Sequence, residues 1–373
     1  MKKTRQHHGK LAIKHDQIVG DLRGRILSGE LGPGSRLPTR SELIDLYGVS
    51  SVTIQRAFDR LILDGFVFSR GSQGTFVCDT PPHLFNYGML FPVAGEPEIV
   101  ASRYRLAMKR AAHQISRQRG NISFHSYYAF APQAQRDTLC RDVQGSRMAG
   151  LVMFYHAREY ANTPVVEQSD MPRVYVCAMY ENEKSFPRPA DSSMIALDLQ
   201  SLYQRGLECL VSKGRKRLAI YSMGTSWSEA QGVAVMARAA GLSVDPMHRL
   251  EFSPDLCRAA KNVTQLLMRQ SADVRPDAIF ITDDNLVEDV TAGLKLEGVT
   301  APGDLDVIAH CNYPVPPPAS LPVTYLGFDC RLILQRCLEI IDARRAGQDT
   351  PPLKINIPAV FQHELTQHTS ADV

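Results

Sequence analysis

The feature that most constrains this chain is the break at Asp79-Thr80-Pro81-Pro82-His83, where two kinds of apolar pattern meet. Before it, apolar residues recur at helical spacing over short stretches separated by turn residues. After it, short apolar runs alternate with amphipathic stretches to about residue 346. Paired prolines in an extended stretch read as a semi-rigid spacer. With 373 residues the chain exceeds one ordinary core, and about 290 residues beyond the break exceed a single sheet. The expected layout is a flexible basic arm over 1–14, a first domain over 15–78, a linker over 79–83, a two-lobed domain over 84–366 and a tail over 367–373.

In the first domain Ile18, Leu22 and Ile26 mark one buried helical face that stops near Ser28-Gly29, and Gly32-Pro33-Gly34 makes a turn. Thr39 with Glu42 three residues on forms a capping box, so a second helix starts there, with Leu43 and Leu46 facing inward and an end at Tyr47-Gly48. Ser50 is the N-cap of a third helix. Its buried stripe is Ile54, Phe58, Leu61 and Ile62, leaving Ser51, Val52, Gln55 and Asp59 outside, and Gly65 ends it. Phe66–Arg70 and Thr75–Val77 flank Gly71-Ser72-Gln73-Gly74 as a β-hairpin. Three helices with a tight second turn, then a hairpin, outline a winged helix-turn-helix.

That outline points to duplex DNA. The second helix of such a pair enters the major groove with its amino-terminal residues toward base edges. Here those are Ser51, Val52, Thr53 and Gln55, whose side chains let the backbone approach closely. Arg40, Arg56 and Arg70 surround them and are placed to neutralise phosphates. Gly71 and Gly74 let the wing tip lie along the duplex, with Gln73 reaching for the minor groove. Taken singly, each has an ordinary reading: arginines at helix ends are solvated, and glycine hairpins are turns. Charge leans the same way, since residues 1–80 hold 12 Lys+Arg against 8 Asp+Glu while the remainder holds 30 against 31.

Past the break, strands alternating with helices imply an α/β domain with a largely parallel sheet covered on both faces. Ligands in such sheets sit beyond the carboxyl ends of the strands. The polar candidates there are Asp283-Asp284-Asn285, Asn312 and Tyr155-His156, with aromatic Tyr180, Trp227 and Tyr313 near strand ends. A carboxylate can accept two hydroxyl hydrogen bonds from a sugar while an aromatic face covers its ring. Equally, Asp283 and Asp284 can serve as caps of the next helix, and the aromatics as packing.

The combination Gly34-x-x-Leu37-Pro38-Thr39-x-x-x-Leu43, Gly48-Val49-Ser50-x-x-Thr53, Leu61-x-x-x-Gly65 and Gly74-Thr75-Phe76-Val77 resembles the GntR family of regulators. The resemblance implies a dimer whose paired recognition helices and wings read a palindromic operator. Carried over by motif, the contacts are Arg40, Ser41, Ser50, Ser51, Val52, Thr53, Gln55, Gln73 and Gly74. The family commonly has Glu-Arg where this chain has Arg40-Ser41, and arginine at Ser51 and Gln55, which implies a different operator. The body resembles the effector domain of LacI/GalR-type regulators, itself similar to periplasmic sugar receptors. The residues that carry this are Ile195-x-x-Asp198, Gly206-x-x-x-Leu210-x-x-x-Gly214-Arg215-Lys216-Arg217-Leu218-Ala219, Pro276-Asp277-Ala278-Ile279-Phe280 leading to Asp284, and Gly298-x-x-x-Pro302-x-Asp304-Leu305-Asp306-Val307-Ile308-Ala309. By that pattern Asp284 binds a hydroxyl. The usual arginine is Glu229 here, and the usual aspartate after the strand ending near Ala309 is Cys311, leaving Asn312. A sugar or sugar derivative is the expected effector, with cationic, phosphorylated or non-sugar ligands open.

The eight cysteines show no C-x-x-C pair, and His310-Cys311 has no second ligand cluster, so neither metal nor cofactor is expected. No run approaches the roughly 18 apolar residues of a membrane span, and the basic start lacks an apolar stretch, so a cytoplasmic protein is expected. No Ser-His-Asp, paired-carboxylate or phosphate-loop signature stands out, so a non-enzyme is expected. Two rival readings are a ligand-binding protein whose head mediates protein association, and a pyridoxal-phosphate enzyme fused to a DNA-binding head.

Overall fold

The computed structural model describes residues 3–92, 102–154, 160, 162–167, 171–178, 192–224, 228–348 and 351–365; for 3–14, 102 and 228–229 it describes the backbone alone. The head comprises helices α1 (Lys3–Leu27), α2 (Arg40–Tyr47) and α3 (Ser51–Leu63), then strands β1 (Val67–Ser69) and β2 (Thr75–Val77). The first helix begins inside the segment expected as a flexible arm. Local chemistry fixes the other two starts. Thr39 Oγ1 accepts from Glu42 N at 3.3 Å while Glu42 accepts from Thr39 N at 2.7 Å, and Ser50 Oγ accepts from Thr53 N at 3.3 Å. Gly48, at φ +60°, ends α2 in the left-handed conformation that glycine adopts without strain.

Ile18, Leu22, Ile26, Leu43, Ile54, Ala57, Phe58, Leu61, Phe66 and Val77 form the head core. Two expected core residues are outside it: Leu46 is 64% exposed and Ile62 39%. In the eight-residue α2, Ile44 and Tyr47 pack beside Leu43 instead, and the α3 stripe runs through Ile54, Ala57, Phe58 and Leu61, with Ile62 about 100° round the helix from Leu61. The linker also differs from the extended spacer expected. Pro81 and Pro82 are buried, and Pro82 opens a one-turn helix α4 (Pro82–Phe85) against Gly65. Proline suits the first helical position because its missing N–H would have no partner there.

The body has two six-stranded sheets. Lobe 1 contains β3 (Asn86–Phe91), α5 (Ser102–Arg119), β4 (Ser123–Tyr128), α6 (Gln133–Gln144), β5 (Gly150–Met153), α7 (Pro164–Glu167), β6 (Arg173–Ala178) and β7 (Ser193–Asp198). Lobe 2 follows with α8 (Leu199–Ser212), β8 (Leu218–Met223), α9 (Ser228–Ala239), β9 (Arg249–Phe252), α10 (Ala259–Met268), β10 (Ala278–Ile281), α11 (Val287–Leu296), β11 (Asp306–Tyr313) and β12 (Thr324–Asp329). Then α12 (Cys330–Arg345) and β13 (Lys354–Pro358) return to lobe 1, and β14 (Val360–Phe361) returns to lobe 2. The strand orders are β4-β3-β5-β6-β7-β13, all parallel, and β9-β8-β10-β11-β12-β14, parallel except for β14. The chain therefore crosses between lobes three times. Gly206 shows why α8 can lie so near its sheet: a Cβ there would sit 2.6 Å from the Phe280 ring. Among the described residues no helix is long and apolar enough to cross a membrane.

Candidate nucleic-acid interface and effector cleft

Capping leaves the amino-terminal turns of α2 and α3 open to solvent. Arg40 and Ser41 are exposed at the start of α2, and Ser50, Ser51, Val52 and Arg56 are exposed at the start of α3. The unpaired amides of such a turn suit a phosphate oxygen. The capping bonds hold the Glu42 carboxyl below the usual carboxylate range, so that side chain stays committed to its helix. Thr53 is not a surface group: it is 4% exposed, and its hydroxyl lies 3.0 Å from Ser50 Oγ, so it completes the cap rather than facing outward. Gln55 is half-buried and donates to Asp59 at 2.6 Å.

The wing is stiffened from within. The Arg70 guanidinium lies over the rings of Phe68 and Phe76, 4.9 and 5.0 Å from their centres. This cation–π clamp extends an exposed charge from a three-residue strand. Gln73 is exposed in a tight turn, and Gly74 takes φ +114°. A Cβ on Gly74 would lie 2.9 Å from Arg36 Nε, so glycine there lets Arg36 cross the base of the wing. Arg36, exposed and bridged to Phe76, is the cation sequence reasoning missed; its position between a turn glycine and the Leu37-Pro38-Thr39 cap was the available signal.

In lobe 2, Asp283 and Asp284 follow the carboxyl end of β10. Asp283 accepts from Asn285 N at 2.9 Å and from Asn285 Nδ2 at 2.8 Å, which is a capping role. Asp284 is 2% exposed and accepts from Asn312 Nδ2 at 2.9 Å. Asn312 does not follow its strand, as the sequence had implied: β11 continues to Tyr313, because parallel pairing with β12 extends to Asp329. Tyr313 is 2% exposed inside that strand. Burial pushes Asp284 up to about 6, against the opposing pull of Asn312 and Arg103, and burial then the Asp284 charge raise Asp283. Burial pushes His310 down to about 4 despite the nearby Asp283 charge. Arg103 belongs to α5 of lobe 1 yet pairs with Glu288 of lobe 2 at 3.4 Å, so it spans the lobes beside Asp284. No local sequence pattern reports this crossing. Tyr155, His156, Tyr180 and Trp227 lie outside the described residues, and Glu229 is described by its backbone in α9 alone.

Comparison with known proteins places these two parts. Residues 14–77 match the gntR family of bacterial regulatory proteins, and residues 207–362 match the periplasmic binding protein-like domain. The probable rhizopine catabolism regulatory protein of Rhizobium meliloti is 31% identical over 114 residues, 31% of this chain and 22% of its own length. The mannosyl-D-glycerate transport/metabolism system repressor of Escherichia coli is 41% identical over 61 residues, 16% of this chain and 25% of its own. The chain thus spans about a quarter of these curated relatives. A LacI family transcriptional regulator from Lactobacillus casei, solved with bound glucose, matches at TM-score 0.52 and 17% identity over 74% of this chain and 97% of that one. A LacI family regulatory protein from Chloroflexus aggregans matches at 0.52 and 18% over 74% and 96%. At such identities the likeness speaks for fold. The chain therefore carries a helix-turn-helix head that matches the gntR family of bacterial regulatory proteins over residues 14–77, on a two-lobed body that matches the periplasmic binding protein-like domain over residues 207–362 and shares its fold with LacI family regulators.

Proposed function

We propose that this protein is a ligand-responsive transcription regulator, acting as a repressor. As a homodimer its paired heads grip a palindromic operator, while a sugar-like molecule binds between the lobes of each body. The observation that carries the reading is the solvent-open first turn of α3, Ser50 to Val52, on a helix whose cap is already satisfied. Beside it stand a wing and loop bearing Arg36, Arg70 and Gln73. In this reading Ser51 and Val52 meet base edges, Arg36, Arg40, Arg56 and Arg70 meet phosphates, and Gly74 lets the wing lie close. Support also comes from relatives named as regulators and repressors and from the neighbour solved with glucose.

For the effector, Asp284 with Asn312 of β11 offers a paired acceptor and donor near the sheet's carboxyl edge, and Asp283 orders the turn that carries Asp284. Tyr155, Tyr180, Trp227 and Glu229 complete the proposed set. Ligand coupling of this kind is about 1–3 kcal/mol, shifting operator affinity roughly 5–150-fold. The test is binding of the full chain to selected genomic duplexes between about 50 and 200 mM salt, with log affinity falling by about 0.9 per neutralised phosphate for each tenfold rise in salt, or about 0.5 across this range. A flat salt response overturns the DNA reading. Adding a panel of monosaccharides and amino sugars tests the switch, which fails if none changes the affinity.

A further inference from the structure

The head and lobe 1 meet at a carboxylate. Asp64 follows α3, its side chain is 1% exposed, and three guanidinium groups converge on it: Arg23 of α1 at 2.7 Å, Arg60 of α3 at 3.1 Å and Arg147 at 3.3 Å. The first two belong to the head and tie the recognition helix to its own domain. Arg147 belongs to lobe 1, in the turn between α6 and β5. Its guanidinium also reaches Asp142 of α6 at 3.3 Å, and Asp142 accepts from the Tyr127 hydroxyl of β4 at 2.8 Å. One guanidinium is thus ion-paired with carboxylates of two domains at 3.3 Å each, and Asp64 Oδ1, which it faces, accepts no hydrogen bond.

The turn that holds Arg147 is shaped around it. Ser146 takes φ +51°, a conformation residues with side chains rarely adopt, and Arg147 N donates to Asp142 O at 2.8 Å. A Cβ on Gly145 points at the same guanidinium, 2.9 Å from its Nε, so any larger residue there would displace it. The neighbouring joint has little slack. The His83 ring stacks on Phe66 at 5.7 Å, Pro82 lies against Gly65, and Arg345 of α12 donates to Leu84 O at 3.1 Å.

We propose that Arg147 is the positioning residue that sets the angle of the recognition helix against lobe 1, and with it the half-site separation the dimer accepts. The inference rests on the DNA-binding reading above. Without Arg147, Asp64 keeps Arg23 and Arg60, so the head retains its fold and loses its ion pair to lobe 1, while the Phe66–His83 and Gly65–Pro82 contacts at the joint remain.

The experiment uses the full chain and palindromic duplexes built from its selected sequence, with half-sites moved apart in single base-pair steps. The wild type is expected to favour one separation, with affinity falling about tenfold two base pairs away, since half-site spacing is a geometric property of the dimer. Arg147→Ala is expected to flatten that profile to within about threefold while single half-site affinity stays within about threefold, and Arg147→Lys to restore part of the preference. Should Arg147→Ala fail to fold, Gly145→Val, which moves the fork without removing it, is read on the same duplexes and is expected to flatten or shift the profile. A wild-type profile in the folded variants overturns this inference and leaves the DNA reading standing. Failure of the wild type to bind any duplex overturns both.

Discussion

In the head, the groups proposed to meet DNA stand in solvent above a core that does not involve them: Ser51, Val52, Arg36 and Arg70 are exposed, while Leu43, Ile54 and Phe58 beneath are buried. In the body, the groups proposed to meet the effector are themselves interior. Asp284 is 2% exposed and Asn312 4%. A site made from surface can exchange its side chains with little cost to folding, and specificity can drift. A site made from buried polar groups ties recognition to stability, because each member must keep its partner when the ligand is absent.

The sharpest way to break that contrast is to reach the head's core instead of its surface. Phe58→Ala should cost about 3–5 kcal/mol of head stability, abolishing duplex binding while the body still gives a cooperative urea transition near the wild-type midpoint. A body that unfolds in step would show that the two regions are not energetically separate.

Next in size is a pH effect expected of the body. Asp284 is raised to about 6, so its contribution to stability is present below its unfolded value near 4 and lost as pH rises through about 6. His310, lowered to about 4, acts oppositely: its contribution is present above about 6.5 and lost as pH falls through about 4. Asp284→Asn should therefore gain on the wild type by ~2 kcal/mol between pH 4 and pH 7, read by urea denaturation at each pH. A constant difference across that range would remove Asp284 from the buried class.

The smallest effect belongs to the surface. Arg36→Ala should leave the melting temperature within about 1 °C, reduce duplex affinity about tenfold and lower the salt slope by about 1. A large loss of melting temperature would mean that Arg36 is a structural strut of the wing.

What could be read in advance follows the range of the interactions. The caps at Thr39 and Ser50 and the wing glycines act over three or four residues, and each sits where the residue types place it. Leu46 and Ile62 were misread because helical periodicity does not say how wide a face the neighbouring helices cover. The linker was misread because two prolines allow either an extended spacer or a helix start, and the choice lies with Gly65 and Phe66 across the joint. Asn312 was placed after its strand because His310 and Asn312 look like an end, whereas pairing to β12 carries the strand on. Arg103 and Arg147 act across domain boundaries, which no local pattern reports.

The three lobe crossings bear on the order in which this protein can be made. The edge strand β13 lies beside β7 yet comes from residues 354–358, after all the parallel strands of lobe 2. Lobe 1 must leave a ribosome with an open sheet flank and without its covering helix α12. The head is contiguous and its last strand ends at Val77, so it can fold while the body is still being translated.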